Sequence, residues 1–430
     1  MQTAVQTTTF DLDGERFVLP DFDGYGLANV APTIIKLLAP GAELELPPLA
    51  GDALPPALTD GVKTIVLVVA DGFGFGQLER EAAAGNAPNL RALVDRPDVA
   101  FSAITSVFPT TTVAALGSVN SAVAPSHHGL LGYTLYLSEF NMLGEMIRWG
   151  PLNRRGSFAD SDFMESTGCT PERFFWAQTV YQQLQAQGIE RTFAVNPQHF
   201  TGTSLTRMLH QGSIYDGYVS TSSLQPIVAR LVDESRTPTY IYAYWPTIDT
   251  IAHVVGPLTP EHSAEVAGFD FQFGRLVASL PSRGDTLVLM TADHGHIDSA
   301  PEFSVMLADH PELLAMLRVG PAGERRALYL HPLPGMVADV AAYTRENLRD
   351  VAATMLRSDA VEVGLFGPGP LSERAAERIG EVILFPRRNL GLVAPLEMAD
   401  GSPARNPAFR GMHGGLTPDE ALVPLLALRV

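Results

Sequence analysis

The chain has 430 residues and a mass of 46.2 kDa, enough for one large α/β domain with insertions or for two to three average domains. Lys and Arg number 29 against 47 Asp and Glu; the formal charge of −18 repels nucleic-acid backbone and anionic membrane, which excludes a large non-specific DNA binder. The single cysteine, Cys169, excludes an intrachain disulfide and a Cys-rich zinc module, and it fits a reducing compartment.

The opening residues, MQTAVQTTTFDLDGERF, carry no basic segment followed by an apolar stretch, so no secretory leader is expected and the cytoplasm is the expected location. The longest purely apolar run, residues 65–70, is far too short to span a bilayer. Three short runs read as buried parallel strands: TIVLVVA from Thr64, TYIYAYW from Thr239 and TLVLMT from Thr286. Residues 99–138 contain no Asp, Glu, Lys or Arg but many Ser, Thr, Pro and His, which predicts chain packed deep inside the fold. Residues 177–187 carry helical spacing and stop at Gly188. Beyond residue 300 come a strand-like ALYLHP, a helix-like VADVAAYTRENL and a strand-like EVILFP. Strand-then-helix alternation predicts a doubly wound, mostly parallel α/β sheet with helices on both faces. The expected organisation is a core over 1–299, a smaller inserted α/β subdomain over 300–397, and a return to the core over 398–430.

Each of the three strands ends in an aspartate-containing turn: Asp71 in DGFGFG, Asp249 in PTIDTIAH and Asp293 in DHGH. Open α/β sheets bind ligands beyond the carboxyl ends of their strands, so these carboxylates can converge on one cleft. A lone Asp in such a turn is ordinarily a turn former or helix cap. The histidines sharpen the pattern. Asp249 and His253 are four apart and share one face of any helix that begins after Pro246. His294 adjoins Asp293, and His413 lies in a glycine-flanked RGMHGG that lets backbone approach a site closely. Imidazole with carboxylate suits zinc, with manganese or iron as alternatives. His199, His210, His262, His310 and His331 read as hydrogen-bonded core or surface residues, and His296 stands open between ligand and supporting residue. The run Thr110-Thr111-Thr112 reads as a cap before a helix, or as a nucleophile at a helix N-terminus beside a metal.

The order VADG, FPTTT…APSHHG, DTIAH, TADHG and a late HGG resembles the alkaline phosphatase superfamily, most closely its type I phosphodiesterase/nucleotide pyrophosphatase branch, over about residues 62–424. The resemblance implies a hydrolase of phosphate esters, of diester or nucleotide pyrophosphate bonds, with two divalent metals and a small-molecule phosphate or nucleotide substrate. One metal falls to Asp71, the nucleophile oxygen, Asp293 and His294, and the other to Asp249, His253 and His413. Matching Ser121-Ala122 and Pro125 to the family's small-residue pair and proline places the nucleophile at Thr112, with Thr111 as the fallback; His127 and His128 match a structural element. The group's nucleophile is commonly followed by Phe-Pro-Asn-His, where this chain has Val113, Ala114, Ala115 and Leu116. A phosphoryl oxygen must then be met by backbone, metal, or a side chain such as Asn120, Tyr133 or Arg154. Phe73, Phe75, Tyr133 and Trp245 are candidates to pack on a second substituent. Cys169-Thr170-Pro171-Glu172-Arg173 matches the sulfatase C-x-P-x-R pattern, but it follows His128 and so lies outside the nucleophile's place in the motif order. Alternatives on the same scaffold are a phosphomonoesterase, a phosphomutase and a non-catalytic metal-binding module.

Overall fold

The computed structural model describes residues 7–152, 164–395 and 409–430. Its main sheet has seven strands: β1 (Thr64–Ala70), β2 (Val99–Thr105), β3 (Arg191–Pro197), β4 (Ile214–Tyr218), β5 (Thr239–Trp245), β6 (Thr286–Thr291) and β7 (Leu422–Arg429), in the order β2-β7-β6-β1-β5-β3-β4. All pairings among β6, β1, β5, β3 and β4 are parallel, and β7 runs antiparallel to both of its neighbours. The predicted doubly wound α/β architecture is what the chain forms. The three runs read as buried strands are β1, β5 and β6, and every residue in them is buried. Burial on both faces explains why they are continuous apolar or aromatic runs without polar alternation.

These three strands are also adjacent, with β1 at the centre. Trp245 pairs with Ala70 and Thr291 with Val69, so their carboxyl ends finish level. Asp71, the turn leading to Asp249, and Asp293 therefore emerge side by side. Helix α1 (Thr112–Ser121) follows β2, and α2 (Thr247–Val255) and α3 (Pro260–Ser279) follow β5. Val113 through Ser121 are all buried, which accounts for a helix without a single charge. Most of the rest of the charge-free stretch is buried as well, with its two ends half-buried and His127 exposed on the surface. The helix expected over 177–187 is realised as Val180–Ala186, where Thr179 and Gln182 form a capping box.

A second seven-stranded sheet is antiparallel throughout. It takes Thr134–Leu137, Met142–Glu145 and Gly150–Pro151 from the first half of the chain, and Ala322–Glu324, Ala327–Leu330, Ala352–Leu356 and Val382–Pro386 from the 300–397 segment. It thus draws strands from both sides of residue 300. Both its faces are covered, and alternate residues face different cores. Ile383 and Phe385 join the main core, while Val382 and Leu384 pack with Leu328, Leu330 and Val340 in a second cluster under the Val337–Asn347 helix.

The two sheets are tied by an ion pair with no solvent exposure. Arg326 donates from Nε and Nη2 to the Glu420 carboxylate at 3.0 and 2.9 Å. Glu420 also accepts from Gly415 N–H and Thr417 Oγ1, at 2.9 and 2.7 Å. Burial opposes the Glu420 charge, but Arg326 and these hydrogen bonds outweigh it and hold the carboxyl below its ordinary range. A lowered folded-state pKa contributes stability above the unfolded value of about 4.3, and that stability is lost as pH falls through the folded value. Glu420→Gln should cost about 3–5 kcal/mol, because it leaves a buried guanidinium uncompensated. Urea unfolding at neutral pH measures that cost, and the gap to wild type should close as the pH drops below about 4.

Candidate active site

Each predicted metal-ligating residue emerges from the carboxyl edge of the main sheet. Asp71 ends β1, and its backbone N–H donates to the Trp245 carbonyl at 2.9 Å. Asp249 and His253 lie one turn apart on α2, with Nε2 3.3 Å from Oδ1, as their spacing predicts. Asp293 and His294 follow β6, and His413 arrives on the loop before β7. Asp293 Oδ1 accepts from the N–H groups of Gly72 and His294, both at 3.0 Å, which locks the β1 and β6 turns together.

The histidines share one arrangement. His253 Nδ1 lies 2.7 Å from the Gly411 carbonyl, His294 Nδ1 3.2 Å from that of Gly295, and His413 Nδ1 2.9 Å from that of Thr110. A carbonyl only accepts, so each Nδ1 carries the hydrogen and each Nε2 presents a bare lone pair to the cluster. Burial pulls all three imidazoles below their ordinary pKa, which keeps them neutral. His253 Nε2 and His413 Nε2 face each other at 3.1 Å, and the His294 and His413 rings stack at 3.7 Å.

The carboxylates show the complementary pattern. Tyr244 donates its hydroxyl to Asp71 Oδ2, yet Asp71 Oδ1, Asp249 Oδ1 and Asp293 Oδ2 are buried without a hydrogen-bond partner. Burial, and then the Asp293 and Asp249 charges, push the Asp71 carboxyl well above the usual range. Orphaned acceptor oxygens facing bare imidazole nitrogens repel one another unless cations lie between them. The donor set therefore fits divalent metal. Two groups have their ligand atoms within 4.8 Å of one another: Asp71, Asp249 and His294, and Asp249, His253, His296 and His413. Asp249 belongs to both.

The three threonines have different surroundings. Thr110 Oγ1 donates to the Gly415 carbonyl at 2.8 Å and so fixes the His413 loop. Thr111 is the buried N-cap of α1, and its hydroxyl bonds Glu324. Thr112 Oγ1 lies 3.2 Å from His294 Nε2 at the first turn of α1. Thr112 and Asp71 also line a 650 Å³ cavity that continues past Leu116, Phe200, Leu205 and Tyr242.

The expected substrate contacts do not gather there. Asn120 is fully buried in α1, donates to the Leu116 carbonyl and accepts from Tyr181. Tyr133 sits behind Glu145, to which its hydroxyl donates, and Glu145 with Arg148 lines the cavity instead. Arg154 lies outside the described residues. Phe73 and Trp245 pack on Phe269, and Phe75 stacks on Phe101, so none of them lines the cavity. Cys169 lies beside Trp149, whose indole donates to its carbonyl, and burial raises its thiol pKa, the reverse of what a nucleophile needs.

Of the histidines given ordinary roles, His262 pairs with Glu81 at 3.1 Å and His310 with the Tyr343 hydroxyl at 3.1 Å. His199 and His210 line the cavity, although both His210 nitrogens are taken by Tyr181 and Asn196. His128 joins Ser118 to the following turn, the structural role expected of it. Sequence reading missed Tyr244 and Glu324. The alternation of Tyr240, Tyr242 and Tyr244 along one face of β5 was the available signal for the first. Burial pushes the Glu324 carboxyl up to about 7, against hydrogen bonds from Thr111 and the Tyr133 N–H.

A mixed, largely parallel sheet with a carboxylate-histidine cluster at its carboxyl edge, beside a helix N-terminus, is the architecture of the alkaline-phosphatase-like hydrolases of phosphate esters. The type I phosphodiesterase/nucleotide pyrophosphatase family matches residues 65–416, and the chain belongs to that family, which is metal-dependent. An uncharacterized pyrophosphatase/phosphodiesterase of Schizosaccharomyces pombe is 20% identical over 365 residues, 82% of this chain and 68% of that protein. An inactive threonine-to-alanine variant of murine ectonucleotide pyrophosphatase/phosphodiesterase 5, in complex with AMP, aligns with a TM-score of 0.60 at 14% identity, over 85% of this chain and 87% of that one. Phosphonoacetate hydrolase of Sinorhizobium meliloti 1021, in complex with phosphonoformate, aligns with a TM-score of 0.60 at 16% identity, over 98% and 94%. Among the described residues no helix is long and apolar enough to cross a membrane.

Adding a divalent cation to chelator-stripped protein should raise its melting temperature, by the equivalent of about 2.7 kcal/mol at a hundred times Kd. Differential scanning calorimetry checks this. Asp249→Ala should lose more of the shift than His413→Ala, because Asp249 serves both ligand groups.

Proposed function

We propose that this chain hydrolyses phosphodiester or nucleotide pyrophosphate bonds through a covalent phosphothreonine at Thr112, in a site that holds two divalent cations, zinc by preference. Asp71, Thr112, Asp293 and His294 hold one cation, and Asp249, His253 and His413 hold the other. The observation that carries the reading is the position of Thr112. Its hydroxyl stands against His294 Nε2 and opens into the cavity, while Thr110 and Thr111 are turned to other partners.

Bound divalent cations supply charge neutralisation, a lowered hydroxyl pKa and polarised phosphoryl oxygens. The protein's own residues do the rest. Thr112 loses its proton to solvent and attacks phosphorus, forming one P–O bond as the bond to the leaving alcohol or phosphate breaks in line. The N–H groups of the first turn of α1 point toward the incoming phosphoryl oxygens, aided by the helix dipole. Water then attacks the phosphothreonine and restores the hydroxyl. Leu116, Phe200, Leu205 and Tyr242 give the cavity an apolar wall that suits an organic substituent beyond the reacting phosphate, which favours diesters over simple monoesters. Two solved neighbours hold small phosphoryl compounds, one AMP and one phosphonoformate, which supports a small-molecule phosphoryl substrate. The lone cysteine suits a reducing compartment, in keeping with the cytoplasm.

Thr112→Ala should lower kcat on the order of 10³-fold or more, about 4 kcal/mol, while the carboxylate and imidazole ligands of both cations remain. Thr111→Ala should cost far less. Acid-quenched wild type should carry phosphate on Thr112 where the second step is slow, and near-wild-type turnover of Thr112→Ala would overturn the assignment. A cation-replete panel of nitrophenyl mono- and diesters, a phosphonoacetate arm included, should rank diesters first. A hundredfold preference for monoesters, about 2.7 kcal/mol, would move the reading to a phosphomonoesterase.

A further inference from the structure

We infer that His296 is a protein ligand to the cation at Asp249, beside His253 and His413, so that this half of the site carries three imidazoles and one carboxylate. The inference rests on the two-cation reading and adds a residue that reading does not use.

His296 stands two residues after His294, but the two rings serve different sides of the cluster. His294 Nε2 faces Asp71 and Thr112, whereas His296 reaches across the β1 turn to Asp249. The His296 side chain has no solvent exposure. Its Nδ1 lies 3.2 Å from the Gly72 carbonyl, which can only accept, so the hydrogen sits on Nδ1 and Nε2 is bare. That bare nitrogen lies 3.1 Å from Asp249 Oδ1, itself an acceptor, and neither atom has a hydrogen-bond partner. Two buried acceptors at this separation require a positive charge shared between them. The same Asp249 oxygen is 3.3 Å from His253 Nε2 and 3.7 Å from His413 Nε2. All four donor groups therefore point at one small volume, and their ligand atoms lie within 4.8 Å of one another.

The surrounding chain makes room for this ring. Gly72 has φ +71°, and a Cβ there would lie 2.5 Å from His296 Cε1 and 3.0 Å from the Asp249 Cα. Gly295, between the two histidines, approaches so closely that its Cβ would fall 2.1 Å from the Asp419 carbonyl. The Gln77 side chain donates to the His296 carbonyl and fixes the residue from the other side. A ring admitted by one glycine, held at Nδ1 by a carbonyl and aimed at an orphaned carboxylate oxygen is placed as a ligand is placed.

The two halves of the site then differ in chemistry. The Asp249 half offers three nitrogens and one oxygen, whereas the Asp71 half offers one nitrogen, two carboxylates and a hydroxyl. Imidazole-rich sets favour zinc, while carboxylate-rich sets accept magnesium or manganese. The Asp249 half should therefore keep its cation longer against a chelator.

Zinc titration against a chromophoric chelator, and cobalt(II) absorption spectra, on wild type, His296→Ala and His296→Gln test this. Wild type should bind two equivalents in two distinguishable steps. Both variants should weaken the tighter step by about tenfold or more and alter the cobalt spectrum of that site, while the weaker step stays put. Glutamine can still donate a hydrogen bond to Asp249, so a His296→Gln protein with wild-type affinity and spectrum would reduce His296 to a positioning residue and overturn the inference. Thermal unfolding of the cation-free variants establishes that they are folded, and the glutamine variant carries the comparison where the alanine variant is not. A wild-type protein that binds no cation would overturn the two-cation reading itself.

Discussion

The structure turns on one electrostatic constraint: three aspartates and four imidazoles meet with their free acceptor atoms facing one another. Each carboxylate contributes an oxygen without a hydrogen-bond partner, and each imidazole is committed through Nδ1 to a backbone carbonyl. Such an arrangement is costly as it stands and becomes favourable only with positive charge in its midst. Many features elsewhere in the fold serve to impose it. The β1 and β6 turns are clamped by Asp293, the β5 turn is tied to β1 through Trp245, and the His413 loop is pinned by Thr110 and Glu420. The same constraint would reconcile a chain of charge −18 with an anionic substrate, since cations held there would dominate the local field.

What was legible in the sequence follows from this geometry. A strand buried on both faces cannot hide its composition, so β1, β5 and β6 were readable to the residue, and the aspartates that end them marked the cleft. The pairing of Asp249 with His253 needed only helical spacing. Thr112 was separable from its neighbours by motif spacing, and the structure shows each threonine facing a different partner.

Less legible were the residues whose roles depend on contacts between distant segments. Tyr244 lies in a strand that reads as core, and only the register of β5 against β1 brings its hydroxyl to Asp71. Glu324 comes from the second sheet, whose short strands draw on segments nearly two hundred residues apart. His296 stood open because its proximity to Asp293 in sequence says nothing about which aspartate its ring meets; Gly72 decides that. Asn120, read as a candidate substrate contact, is engaged elsewhere for a plainer reason. It lies eight residues after Thr112, slightly more than two turns, but its amide turns back to the carbonyl of Leu116 and to Tyr181, and so is spent inside the fold.

Chain order adds a final consequence. Within the main sheet β2 pairs only with β7, and β7 sits between β2 and β6, so among the described residues the sheet is complete only with the last strand inserted antiparallel between two elements that lie far earlier in the chain. The loop that leads into β7 carries His413, and the short helical turn before it carries Glu420, which binds Arg326 on the second sheet and accepts at its carboxylate from Gly415. Insertion of one strand thus completes the sheet, joins it to the second sheet and brings His413 to the cluster. These are contacts of long sequence separation, which loop-closure entropy opposes until the flanking strands are in place. The strand that completes the main sheet is therefore also the one whose leading loop sets His413 against the other acceptors of the cluster.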